Sequence, residues 1–176
     1  MERVMAVQQQ QLASLIASLI RPSNVTAYAT GGTVSAVTTN AHLTFASAAQ
    51  KAPGLMGGVI VGARIVSNAN VATKPDLELW LFRTDIAAVA DQTQFAPTDA
   101  EANTIIGVIP FPVASWRQAS ASGVNSMCEW APPTLGLPFR LGTPVTPSIF
   151  GQLVIRNAYV PVSAETFQVE LMVQQN

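Results

Sequence analysis

From Val25 onward the chain alternates apolar and polar residues with a period of two, in short runs closed by glycine and proline. That pattern admits few folds, because successive side chains of a strand point to opposite faces and helices need a period near 3.6. Strands are expected at Val25–Thr30, Val34–Thr38, His42–Ala46, Leu55–Ser67, Leu77–Arg83, Ile105–Pro110, Met127–Trp130, Ile149–Val160 and Phe167–Gln174. Gly31-Gly32, Pro53-Gly54, Pro132-Pro133 and Thr146-Pro147 bound them as turns. Many short strands with such turns predict an all-β sandwich or barrel.

The segment before Val25 reads differently. Leu12, Leu15, Ile16, Leu19 and Ile20 recur at i, i+3, i+4, i+7 and i+8, the spacing of an amphipathic helix, and Pro22 ends it. A short helix of this kind is marginal alone. The expected organisation is therefore a helical arm over residues 1–22, which either packs on its own domain or docks through those five residues on a neighbouring subunit, and one β-sandwich domain over residues 23–176.

Two features bear on how the sandwich is covered. In Asp76–Arg83, Leu77, Leu79 and Leu81 share one face while Glu78, Trp80 and Phe82 share the other, so neither face is simply solvated. Trp80, Phe82, Trp116 and Trp130 are expected in the core or in a subunit interface rather than as a sugar-stacking platform. Val59–Val66 followed by Leu77–Trp80 also echoes Leu153–Val160 followed by Val169–Met172. Read as two equivalent hairpins, the echo suits a jelly-roll-like sandwich. Between the halves, Asp85–Asn103 reads as an exposed acidic excursion, with Thr98 and Glu101 spaced as a capping box.

Composition narrows the class of protein. The 176 residues are enough for one sizeable β-domain. Only 11% are charged, against about 25% in an average soluble protein, while 49% are apolar. A membrane protein or a surface covered by partners would explain the shortage. No apolar run is long enough for a spanning helix, since serines and Arg21 interrupt Leu12–Ile20 and Arg64 interrupts Val59–Val66. The opening residues lack the compact apolar stretch of an export signal. Nine basic residues scattered between Arg3 and Arg156, with a net charge of −1, make no phosphate-binding patch, so neither nucleic acid nor membrane is an expected partner.

Candidate chemistry is sparse. His42 is the single histidine and Cys128 the single cysteine, which excludes an internal disulfide. A thiol activated by His42 is conceivable, but Cys128 beside Met127 reads as a small buried hydrophobe. Asp85, Asp91, Asp99 and Glu101 match no calcium loop; Asp99 and Glu101 suit the first turn of a helix, and Asp85 and Asp91 read as ordinary loop residues. Gly31-Gly32 and Gly57-Gly58 are turn glycines or points of close backbone approach, not phosphate cradles. No catalytic residue, no metal and no cofactor is expected.

Several stretches resemble a family of tailed-phage structural proteins, the head decoration or cement proteins. They are Asn24–Gly31 (NVTAYATG), Lys51–Gly54 (KAPG), Leu77–Phe82 (LELWLF), Phe95–Ala100 (FAPTDA), Ile106–Pro110 (IGVIP) and Pro161–Phe167 (PVSAETF). Their order spans residues 24 to 174, and residues 1–22 lie outside it. The resemblance implies a jelly-roll β-sandwich, commonly trimeric, made in the host cytoplasm and carried on the capsid exterior, where it binds the major capsid protein and bridges capsomers. Other virion roles, at the head opening or tail, and a carbohydrate-binding module for host attachment are the competing expectations.

Overall fold

Alternation lets a strand bury one face and wet the other, and the fold is built on that economy. The computed structural model describes residues 11–37, 41–49, 56–119, 125–130, 135–142 and 147–175, and the eleven strands among them form two antiparallel sheets. The first sheet runs β1 (Gln11–Ile20), β11 (Thr166–Gln175), β4 (Gly57–Ser67), β8 (Ser126–Trp130) and β7 (Trp116–Gln118), with β9 (Leu137–Arg140) also on β4. The second runs β2 (Thr33–Val34), β10 (Ile149–Ile155), β5 (Leu77–Phe82) and β6 (Ile105–Phe111), with β3 (Leu43–Phe45) also on β10. Inward residues of both sheets, among them Ile65, Phe167, Val169 and Leu171 from the first and Phe45, Leu79, Ile109 and Leu153 from the second, share one buried cluster. The all-β expectation holds.

The helix expected over Leu12–Ile20 does not form. Gln11–Ile20 is a strand, paired without interruption from Gln11↔Gln175 to Ile20↔Thr166. Both periods are written into the segment: Leu12, Leu15, Ile16, Leu19 and Ile20 make a helical stripe, but Leu15, Ala17 and Leu19 also alternate. The strand reading wins because β11 offers a partner along ten residues, whereas an isolated helix of that length gains little. Leu15, Ala17 and Leu19 are consequently buried, and Leu12, Ile16 and Ile20 point outward. Residues 1–10 of the expected arm lie outside the described residues.

The two echoing segments are not hairpins either. β4 and β5 belong to different sheets, as do β10 and β11, so each pair crosses between layers. β4 pairs with β11 and β5 with β10, which brings the echoing strands together in a different way. Val25–Thr30 contributes one isolated bridge, Tyr28 to Tyr159, instead of a strand. β7 and β9 were not expected, because Pro112 and Pro138 flank or interrupt them; Pro138 is tolerated in β9 opposite Val59.

Asp85–Asn103 folds back instead of projecting. Phe95 sets its ring edge-on against Trp80 at 5.6 Å and Phe82 at 6.3 Å, covering the outer face of β5. The helix α1 (Asp99–Ala102) closes the segment, and its capping box is complete: Thr98 Oγ1 accepts from the Glu101 N–H, and the Glu101 carboxylate accepts from the Thr98 N–H at 2.8 Å. Gly58 lies inside β4, not in a turn, and a Cβ there would stand 2.5 Å from the Gln174 carbonyl oxygen. Gly31, with φ of +89°, is a turn glycine whose Cβ would meet the Gln94 side chain.

The strand reading of β1 separates neighbouring positions that a helix would group. Leu15→Ser and Leu19→Ser should each lower stability by about 2 to 4 kcal/mol in denaturant titrations. Ile16→Ser, measured on dilute protein, should stay within about 0.5 kcal/mol of the parent. Equal losses at Leu15 and Ile16 would contradict the strand.

Candidate functional site

At the end of the molecule where β1 stops and β11 starts, a set of polar side chains is removed from water. Arg21, one residue beyond β1, is 0% exposed, and Glu165, one residue before β11, is also 0% exposed. A buried guanidinium survives only with paired charge and filled donors. Here its Nη2 lies 3.0 Å from Asp91 Oδ2, its Nε donates to the Tyr28 hydroxyl, and its carbon sits 4.7 Å from the centre of the Tyr28 ring. The Tyr28 hydroxyl in turn donates to Asp91 Oδ1 at 2.6 Å, and that same oxygen accepts from the Ser35 N–H at 3.0 Å. Asp91, expected as an ordinary loop residue, is therefore the counter-ion of the buried cation.

Glu165 occupies the other half of the cluster. Its carboxyl lies 2.8 and 2.9 Å from the Tyr159 hydroxyl and accepts from Ser67 Oγ at the end of β4. The Arg21 N–H donates to the Glu165 carbonyl at 3.0 Å, and the Tyr28 N–H donates to the Tyr159 carbonyl at 2.8 Å, so backbone bonds run beside the side-chain ones. The Tyr28 and Tyr159 rings stack with centroids 6.3 Å apart. One cation thus stands among two carboxyl groups. Asp91 holds it directly, while burial raises the Glu165 pKa above the ordinary carboxylate value, opposed by the Ser67 and Tyr159 hydrogen bonds and the Arg21 charge. Burial likewise raises both tyrosine pKa values.

Perturbed groups of this kind are candidates for acid–base chemistry. Their exposure argues for a different role: Arg21 and Glu165 are at 0%, Tyr159 at 1% and Tyr28 at 2%, so a substrate has no approach to them. The cluster joins the ends of β1, β4 and β11 to the loops that follow β2, β5 and β10. It ties the two sheets together at that end.

The residues singled out from sequence fall elsewhere. Cys128 is buried in β8 of the first sheet, its thiol pKa pushed up to about 11 by burial. His42 adjoins β3 of the second sheet, where its Nε2 lies 2.9 Å from Asp85 Oδ1 and its ring meets the edge of Phe150. The two are not brought together. Phe82 and Trp116 are buried, and Trp80 is half-buried with its Nε1 donating to Glu78 at 2.9 Å. Trp130 ends β8, and its side chain lies outside the described residues. Among the described residues no cluster of His, Cys, Asp and Glu could hold a metal ion, and no helix is long and apolar enough to cross a membrane.

The five proposed docking residues divide between two faces. Leu15 and Leu19 enter the core, whereas Leu12, Ile16 and Ile20 stand 69%, 57% and 52% exposed on the outer face of the first sheet. Next to them on β11, Glu170 accepts from Ser14 and Arg64 and gives that face its charge pair. No protein-family model matches the chain, and no curated protein matches it in sequence.

Arg21, Tyr28, Asp91, Tyr159 and Glu165 were not anticipated as a group. One signal existed: the chain has two tyrosines, and both are in the cluster. Removing the cation should be severe. Arg21→Met should destabilise the fold by about 3 to 5 kcal/mol, and Arg21→Lys should restore little, because an ammonium cannot reproduce the fork of donors. Glu165→Gln should be far milder, with a pH signature. A carboxyl whose folded pKa is raised binds more protons folded than unfolded, so parent stability falls as pH rises upward from the ordinary value of 4.5. The glutamine variant lacks that loss, and the stability difference between variant and parent should move in the variant's favour across that window in urea titrations.

Proposed function

We propose that this chain is a structural virion protein, and specifically a capsid decoration protein of jelly-roll type that binds the major capsid protein on the outside of the head and bridges neighbouring capsomers as a homo-oligomer, with a trimer favoured. It performs no catalysis in this reading. The observation that carries it is the combination of an 11% charged sequence with an outward, uncharged apolar row at Leu12, Ile16 and Ile20 on the rim of a two-sheet β-fold. Such a surface is stable in solution only when it is small or covered, and covering it needs little desolvation of charge. The six ordered stretches between Asn24 and Phe167 that resemble decoration proteins support the capsid-exterior reading.

Two further features suit the role. The sheets are joined at one end by the buried Arg21 cluster, which favours a rigid body that docks without large ordering losses. Among the described residues, Trp116 is 8% exposed and Trp80 is flanked by Phe95 and Arg156, which leaves neither ring open for glycan stacking. A carbohydrate-binding module would need a flat, open ring, so the virion reading is preferred.

Quantitative mass spectrometry of purified particles provides the test. The chain should copurify in a constant ratio to the major capsid protein, and particles lacking it should rupture at lower temperature, with rupture restored by adding the purified chain back. A ratio tied to portal or tail components would instead make it a neck or tail protein. Absence from the particles would overturn the proposal.

A further inference from the structure

β1 is the outermost strand of the first sheet, and among the described residues it lacks charge, proline and bulges as edge protection; β3 lies near it and Val37 bonds its last residue. β1 is ten residues long, carries no charged residue and no proline, and pairs with β11 without a bulge. Its hydrogen-bonding directions follow from the ends. The Arg21 N–H donates toward β11, to Glu165, whereas the Ile20 carbonyl accepts from the Val37 N–H on the opposite side. In an antiparallel ladder alternate residues point both backbone groups to alternate sides. The groups of Leu12, Ser14, Ile16 and Ser18 therefore face away from β11, and among the described residues Val37 is the one whose backbone reaches that edge.

The sequence of the strand also fits a copy of itself. Paired antiparallel about Ile16, two β1 strands set Ile16 opposite Ile16, Ser14 opposite Ser18 and Leu12 opposite Ile20 on the outer face. On the inner face the same register sets Leu15 opposite Ala17 and Leu19 opposite Ala13, a large residue against a small one each time. Cross-strand matching of this kind stabilises a ladder, and no like charges meet. A shift by two residues puts serine opposite isoleucine or leucine throughout the outer face. A shift by four restores the match but leaves part of each strand unpaired. A second copy of this chain matches the side-chain pattern and the open backbone groups of Ser14, Ile16 and Ser18, while the Ile20 carbonyl keeps its bond to Val37.

We propose that two copies associate through β1 across a two-fold axis at Ile16, joining their first sheets into one continuous antiparallel sheet. The exposed Leu12, Ile16 and Ile20 of each copy then gain cross-strand apolar neighbours, and the open backbone groups of Ser14, Ile16 and Ser18 are paired. The inference does not rest on the virion reading. A two-fold seam can join two monomers or link larger assemblies across their rims.

Cysteine pairing on the full-length chain reads the register directly. Residues directly opposite in a hydrogen-bonded pair have Cα atoms about 5.5 Å apart, within disulfide reach. Ile16→Cys alone should cross-link on mild oxidation; Ser14→Cys alone and Ser18→Cys alone should not, and a mixture of those two should. In sedimentation equilibrium, Ile16→Lys should halve the assembly mass of the parent while keeping its circular dichroism spectrum. A parent of the same mass as Ile16→Lys, with no cross-linking of Ile16→Cys, overturns the seam and leaves that edge to another segment of the same chain or to a different protein. Cross-linking of Ser14→Cys or Ser18→Cys alone overturns the register.

Discussion

The guanidinium of Arg21 is held where no water reaches, and the organisation of one whole end of the molecule follows from the need to satisfy it. An unpaired charge at that depth is prohibitive, so the loop carrying Asp91 must return to it, Tyr28 must bring its hydroxyl between them, and Ser35 fills the remaining carboxylate oxygen. Glu165 and Tyr159 extend the network to β4 through Ser67. Six separate parts of the chain thereby meet in one hydrogen-bonded network. Apolar packing between sheets is tolerant of sliding, whereas a hydrogen-bonded charge has one geometry, and the cluster can therefore set the relative position of the two layers.

The same cluster decides the fate of the segment before it. With Arg21 anchored to the Glu165 backbone and side-chain network, the ten residues preceding it are delivered alongside β11 in one register. That places Leu15, Ala17 and Leu19 inward and leaves Leu12, Ile16 and Ile20 at the rim. This uncharged edge with its outward apolar row is thus a consequence of a polar interior, and it is the edge used by the association proposed above.

Much of the fold was legible in the sequence. Period-two alternation located β4, β5, β6, β8 and β11 to within a few residues, and the spacing of Thr98 and Glu101 located α1, because these signals are local. The apolar character of Trp80 and Phe82 required cover on the outer face of β5, and Phe95 supplies it. The failures were also physical. Leu12–Ile20 satisfies both helical and strand periods, and only a partner strand could choose between them. The echoing segments looked like hairpins because sequence adjacency suggests spatial adjacency, yet β4 to β5 and β10 to β11 each change sheets.

By itself, then, the sequence determined an all-β chain with little charge, few titratable groups and strongly apolar strands, since propensity, alternation and composition are properties of neighbours along the chain. The tertiary structure decided that Leu12, Ile16 and Ile20 are outside while Leu15 and Leu19 are inside, and that Arg21, Asp91 and Glu165 belong to one buried network. Asp91 lies 70 residues from Arg21. No local pattern can specify such a pair, because its stability comes from the low dielectric and the excluded water that exist only after the two sheets have closed over it.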